Sequence, residues 1–214
     1  MKPKIESEGL GTARIESLSD NVFSVAMTLL VLSIKVPELS SNAVHTELVH
    51  KLLELWPDFV TYIFSFILLG IFWIGHHNQY HFIKRTDRMF LWINILFLMG
   101  VAVFPFFTSL LAKYVDHPAA LLAYFACTIV TALVLYWHWD YATDQNRLVD
   151  PLSPELIKGV KKRILLAPVC AVPLGALAFY STKLTLFLYS FVLLYYIVPS
   201  MIDRYWQTDK KKSV

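Results

Sequence analysis

Charge is scarce in this sequence. Asp, Glu, Lys and Arg make up 16% of its 214 residues, against about a quarter in ordinary soluble domains. Cysteine is scarcer still: only Cys127 and Cys170 occur, both inside apolar runs. Two such thiols read as small buried hydrophobes and leave no disulfide framework. The chain has no phosphate loop, dinucleotide fingerprint or nucleophile triad, and no low-complexity segment or convincing repeat. Nor is there a TVGYG-like run of the kind that builds the carbonyl filter of familiar potassium channels. Seven histidines are present, but His45, His50 and His117 are expected on the side opposite the cluster His76, His77 and His81. A membrane di-iron centre is thereby starved of ligands, although the i,i+4 pair His77 and His81 has a metal-like spacing. We therefore expect no enzyme, no metal and no cofactor.

What is abundant is apolar residue. They make up 57% of the chain, and the mean hydropathy is +0.53. A membrane span needs about 20 mostly apolar residues. Six segments qualify: 18–34, 59–75, 89–112, 119–138, 164–180 and 184–201. The first has a basic flank but is longer than a usual signal h-region, lacks a small-residue cleavage pattern and is followed by five more spans, so it reads as retained. The expectation is an all-α membrane protein, with residues 1–214 forming a single six-helix transmembrane domain.

The basic residues set the orientation. Lys2, Lys4, Arg14, Lys84, Arg85, Arg88, Arg147, Lys158, Lys161, Lys162, Arg163, Arg204 and Lys210–Lys212 fall on one side, which is fifteen of nineteen. Only Lys35, Lys51, Lys113 and Lys183 fall on the other. Positive-inside bias then places both termini in the cytoplasm of a multi-pass cell-membrane protein, with an even number of spans. The basic runs read as orientation signals and lipid-headgroup contacts. A net charge of +3 without a recognisable binding module gives no reason to expect nucleic acid. The loop 35–58 contains HTELVHKLLELW, whose apolar spacing suggests a short interfacial helix, with Pro57 separating it from the second span.

The first span is the informative one. Ser17, Asn21, Ser24 and Thr28 follow steps of four, three and four, forming a polar stripe. The same side continues as Val25, Leu29 and Leu32. Polar groups at membrane depth need partners or water. Either this helix is buried in the bundle, or it lines a pore with a wet vestibule and an apolar neck. One copy cannot seal a conduit, so the second case requires several copies about an axis. Asp20 reads as a paired anchor or as a direct ion contact. Trp73, His76 and His77 sit at the same depth as Arg14, Ser19 and Asp20, and imidazole or indole N–H can donate to a carboxylate. The histidines are structural, or they sense protons.

Arg14, Ser19-Asp20 and the run NVFSVAMTLLVL, together with Trp73 followed by His76-His77, resemble the signature of the transmembrane protein 175 family. The family pattern has phenylalanine where Leu18 stands, and commonly isoleucine where Val25 stands. The resemblance implies a potassium-permeable cation channel without the usual selectivity loop, assembled as a homotetramer of six-helix subunits. The first helix would line the pore. It also implies an apolar constriction at Val25, Leu29 and Leu32, a hydroxyl layer at Ser24 and Thr28, and a polar network of Arg14, Ser19, Asp20, Trp73, His76 and His77. The permeant partners would be potassium and other monovalent cations, in a surround of membrane lipid. A proton-coupled secondary transporter and a non-conducting scaffold are the alternatives.

Overall fold

In the computed structural model the described residues are 11–39 and 44–198, and they fold entirely as helices and connections apart from one isolated bridge. The helices are α1 (Ala13–Leu29), α2 (Val44–Glu54), α3 (Trp56–Phe82), α4 (Arg88–Lys113), α5 (Pro118–Thr143), α6 (Pro154–Leu177) and α7 (Thr182–Ile197), with a 3-10 turn Leu30–Ser33 closing α1. Lys2, Lys4, Arg204, Lys210–Lys212 and the end of the last expected span lie outside the described residues.

Four stretches are long and apolar enough to cross a membrane: Ala13–Ser33, Thr46–Phe82, Arg88–Lys113 and Pro118–Asn146. The chain is thus an all-α, multi-pass membrane protein. α6 and α7 pack into the same bundle but differ from sequence expectation. α6 begins at Pro154 rather than near Ile164, because Pro154 opens its first turn and the Ser153 hydroxyl caps it by accepting from Leu156 N at 3.3 Å. Its first half therefore carries Lys158, Lys161, Lys162 and Arg163. α7 is a shorter apolar helix within its described length. α1 begins at Ala13, so Arg14 lies in its first turn, and α3 runs on to Phe82, so His76, His77 and His81 are all helical. The expected short helix between the first two spans is α2, and Pro57 sits in the first turn of α3, where proline costs no hydrogen bond.

α4 is the centre of the bundle, against α1, α3 and α5, while α5 carries α6 and α6 carries α7. Phe23, Phe72, Phe97 and Phe104 interlock across α1, α3 and α4. Farther out, Thr108 donates to Ser65 at 2.8 Å, and Ser65 lies 3.1 Å from the Tyr124 hydroxyl, joining α3, α4 and α5 through buried hydroxyls. The loops at the other end are pinned together. Ile83 and Val149 form an antiparallel bridge, and Lys84 N and Arg85 N both donate to Leu148 O. Asp87 caps α4 at Phe90 N and accepts the Tyr141 hydroxyl at 2.9 Å.

Gly100 marks the tightest approach of α4 to α5. A Cβ there would lie 2.5 Å from Thr131 Oγ1, whereas one at Gly75 would meet only Leu135 at 3.7 Å. Gly100→Ala should therefore lose about 1–3 kcal/mol by overpacking, despite the helix propensity it gains. Gly75→Ala should be neutral or slightly stabilising, since Ala exceeds Gly by about 1 kcal/mol in a helix interior. Paired thermal melts of the solubilised proteins check this.

Candidate functional site

α1 has two opposed faces. Ile15, Ser19, Phe23, Ala26, Leu30 and Ser33 are buried against the bundle. The other side is exposed from end to end: Ser17, Asn21, Ser24 and Thr28, then Val25 (56% exposed), Leu29 (42%) and Leu32 (70%). The division follows the helical period, because the buried set repeats every three or four residues and leaves the remainder outside. Thr28 Oγ1 donates to Ser24 O and Val25 O, both at 2.9 Å, so its proton is used locally and its oxygen lone pairs stay available. Leu18 is also on the outside, at 49% exposed. It takes no place in the chain's own buried core.

Two polar layers fasten α1 to its neighbours. The inner layer is buried. Ser19 Oγ donates to Ile15 O at 2.9 Å and accepts from Asn94 Nδ2 at 3.3 Å. Asn94 Oδ1 lies 2.9 Å from His76 Nε2, which donates in the tautomer protonated at Nε2. His76 is stacked on Phe97 at 5.2 Å between ring centroids, with the His138 ring 5.5 Å away. His138 Nδ1 in turn lies 2.7 Å from Gln79 Oε1. The outer layer is at the surface. Trp73 Nε1 donates to Asp20 Oδ1 at 2.8 Å, and the indole stacks on His77 at 5.4 Å.

Of the residues expected in one polar network, Ser19 and His76 meet through Asn94, and Asp20, Trp73 and His77 meet directly. Arg14 stands apart, exposed and not ion-paired with Asp20. The reason is geometric: six helical positions leave the two side chains about 120° apart around the axis and about 9 Å apart along it. Asn94, Gln79 and His138 complete the inner layer and were not singled out from sequence. Asn94 had a signal, being a lone carboxamide within the apolar run LWINILFLMG. Gln79 and His138 meet across 59 positions, which no local pattern announces.

Trp73→Phe keeps the ring and removes the N–H. A hydrogen bond at an exposed carboxylate contributes about 1 kcal/mol, so a modest fall in melting temperature is expected, without loss of the folded protein. Among the described residues no group of three or more His, Cys, Asp or Glu is arranged to hold a metal ion.

Comparison with known proteins finds relatives of this chain. Residues 14–105 match the model of the family described as endosomal/lysosomal potassium channel TMEM175. A potassium channel of Streptomyces collinus is 34% identical over 191 residues, covering 86% of this chain and 91% of its own. A potassium channel of Chamaesiphon minutus is 42% identical over 142 residues, 64% of this chain and 69% of its own. The crystal structure of a lysosomal potassium-selective channel TMEM175 homolog from Chamaesiphon minutus superposes with a TM-score of 0.75 at 34% identity, covering 87% of this chain and 96% of that one.

Proposed function

The chain belongs to the TMEM175 family, and from that membership we propose that it is a potassium-permeable cation channel of the cell membrane rather than an enzyme. Four copies assemble about an axis with α1 innermost. Each subunit is a single six-helix domain over residues 1–214, with α6 and α7 as the fifth and sixth spans and both termini in the cytoplasm. No carbonyl loop selects the ion. Instead Val25, Leu29 and Leu32 form successive apolar rings, with the Ser24 hydroxyl at their entrance and the Thr28 hydroxyl between Val25 and Leu29.

One observation carries this reading: the outward face of α1 bears the polar stripe Ser17, Asn21, Ser24 and Thr28, and beyond Thr28 its exposed positions are apolar, at Leu29 and Leu32. Hydroxyls and a carboxamide turned to lipid would be costly. Around a water-filled axis the same stripe becomes a vestibule, and the apolar stretch becomes a neck whose wetting sets conductance. Asp20 stands at the mouth and attracts cations, while Trp73 fixes its carboxylate. The inner layer of Ser19, Asn94 and His76 holds α1 rigidly on α3 and α4, so that four α1 helices keep a constant spacing.

Planar-bilayer recording under opposed potassium and sodium gradients tests the proposal. Ohmic single-channel steps with a reversal potential on the potassium side are expected. Saturating, stepless flux would point to a proton-coupled carrier. Absence of flux from protein of tetrameric mass would point to a scaffold.

A further inference from the structure

A crevice with about 70 Å³ of enclosed space, open at one side, lies between α3, α5, α6 and α7, away from α1. Leu68, Ile71, Leu135, Ile164 and Ala167 make its walls apolar, while Asn78, Gln79 and Arg163 gather its polar groups. Those groups are at one end. Asn78 is ten residues beyond Leu68 on α3, about 15 Å along the axis, toward the loop that starts after Phe82. Arg163 lies one turn before Ala167, on the side where α6 leaves the loop containing Val149. The Ile83–Val149 bridge joins those two loops, so the polar end faces the basic end of the bundle.

Three groups at that end keep hydrogen-bonding capacity that the fold does not use. Asn78 is half-buried, yet its carboxamide makes no side-chain hydrogen bond among the described residues. The Gln79 side chain is 99% buried, and its Nε2 has no partner, because only Oε1 is used by His138. Arg163 Nη2 donates to Tyr196 O at 2.7 Å and to Val198 O at 3.5 Å, but no carboxylate among the described residues pairs with the guanidinium. By contrast the neighbouring Lys161 is paired with Asp140. An apolar slot running down to a guanidinium with no carboxylate partner among the described residues, and to an unpaired amide, has the polarity of one amphiphile: hydrocarbon above, anion below.

We infer that this crevice is a binding site for an anionic glycerophospholipid from the leaflet on the side of the basic loops. An acyl chain fills the slot along Leu68, Ile71 and Ile164. The phosphate accepts from the outward N–H groups of Arg163, which bind phosphate as a fork, and from the Asn78 carboxamide. The occupant is a lipid and not a soluble anion, because the apolar walls form most of the site and open to the hydrocarbon.

The test uses the full-length protein in detergent, incubated with equal amounts of phosphatidylglycerol and phosphatidylcholine and examined by native mass spectrometry. The wild type should retain phosphatidylglycerol roughly tenfold more than phosphatidylcholine, the effect of a single strong contact of about 1.4 kcal/mol. Arg163→Gln should abolish that preference, and Arg163→Lys should keep most of it. Lys162→Gln, exposed and outside the crevice, should leave it unchanged. Ile164→Trp fills the slot without touching a hydrogen bond, and should lower retention of both lipids and remove the rise in melting temperature that phosphatidylglycerol gives the wild type. Equal retention of the two lipids by the wild type would overturn the inference. So would undiminished binding by Ile164→Trp, which decides the matter if Arg163→Gln fails to fold. No ion flux is measured, so either result leaves the channel proposal standing on its own test.

Discussion

Leu29→Asn should raise potassium conductance on the order of tenfold, with Leu29→Ala giving a smaller rise. The neck proposed at Val25, Leu29 and Leu32 resists ions because its rings repel water. Substitution in a tetramer places four carboxamides at one level, so the level wets and the dehydration step shrinks. A barrier lowered by only about 1.4 kcal/mol multiplies a rate tenfold. Leu29 is the informative position because it projects outward, at 42% exposed, and makes little of the chain's own core. The substitution therefore acts on the axis and not on folding. Selectivity should weaken at the same time, since a wetted ring no longer makes potassium and sodium shed water to different extents. Single-channel recording in symmetric and then bi-ionic solution reads both effects. A scaffold would tolerate the same change with no new leak.

Asn94→Leu should be the most damaging single change within the inner polar layer. Asn94 is 1% exposed and serves two partners, donating to Ser19 and accepting opposite His76. A leucine fits the volume but strands His76 Nε2 and cuts the tie to Ser19, whose hydroxyl keeps its bond to Ile15 O. Each buried polar group left unpaired costs about 1–3 kcal/mol, and whole domains are stable by only about 5–15 kcal/mol. We expect a large drop in melting temperature and, in much of the preparation, loss of the monodisperse peak on size exclusion. Met99→Leu on the exposed side of the same helix should change neither. If Asn94→Leu melts like the wild type, α1 is held by apolar packing alone, and the polar layer has some other purpose.

The parts of the molecule that were legible in the sequence are those written in local periodicity. The stripe Ser17, Asn21, Ser24 and Thr28 against Ser19, Phe23, Ala26 and Leu30 could be sorted from spacing, because one helix turn decides which residues share a face. The short α2 helix showed in the same way. The start of α6 did not, because four basic residues mask its first turns when hydropathy is the signal, while the Ser153-Pro154 start was available from capping chemistry. Asp20 and Trp73 could be matched by depth and by hydrogen-bonding type. Arg14 was drawn into the same group by depth and by the family resemblance, and within one subunit the helical angle between positions 14 and 20 separates them. The meeting of His76 with Asn94, and of Gln79 with His138, depends on which helices become neighbours. α4 lies between α1 and α5 for reasons spread over the whole core, so those pairs became readable only in three dimensions.

Cysteine substitution along α1 gives the sharpest test that its outward face surrounds the ion path. Cys127 and Cys170 would first be replaced, and single cysteines placed at Val25, Leu29 and Leu32, with Phe187 on the exposed side of α7 as the control. A small cationic thiol reagent would be applied during bilayer recording. Stepwise, reductant-reversible loss of potassium current at Val25→Cys and Leu29→Cys, with none at Phe187→Cys, is the predicted result. Current that persists after those α1 cysteines have demonstrably reacted would contradict the proposal, and the pore would have to be sought on another face of the bundle.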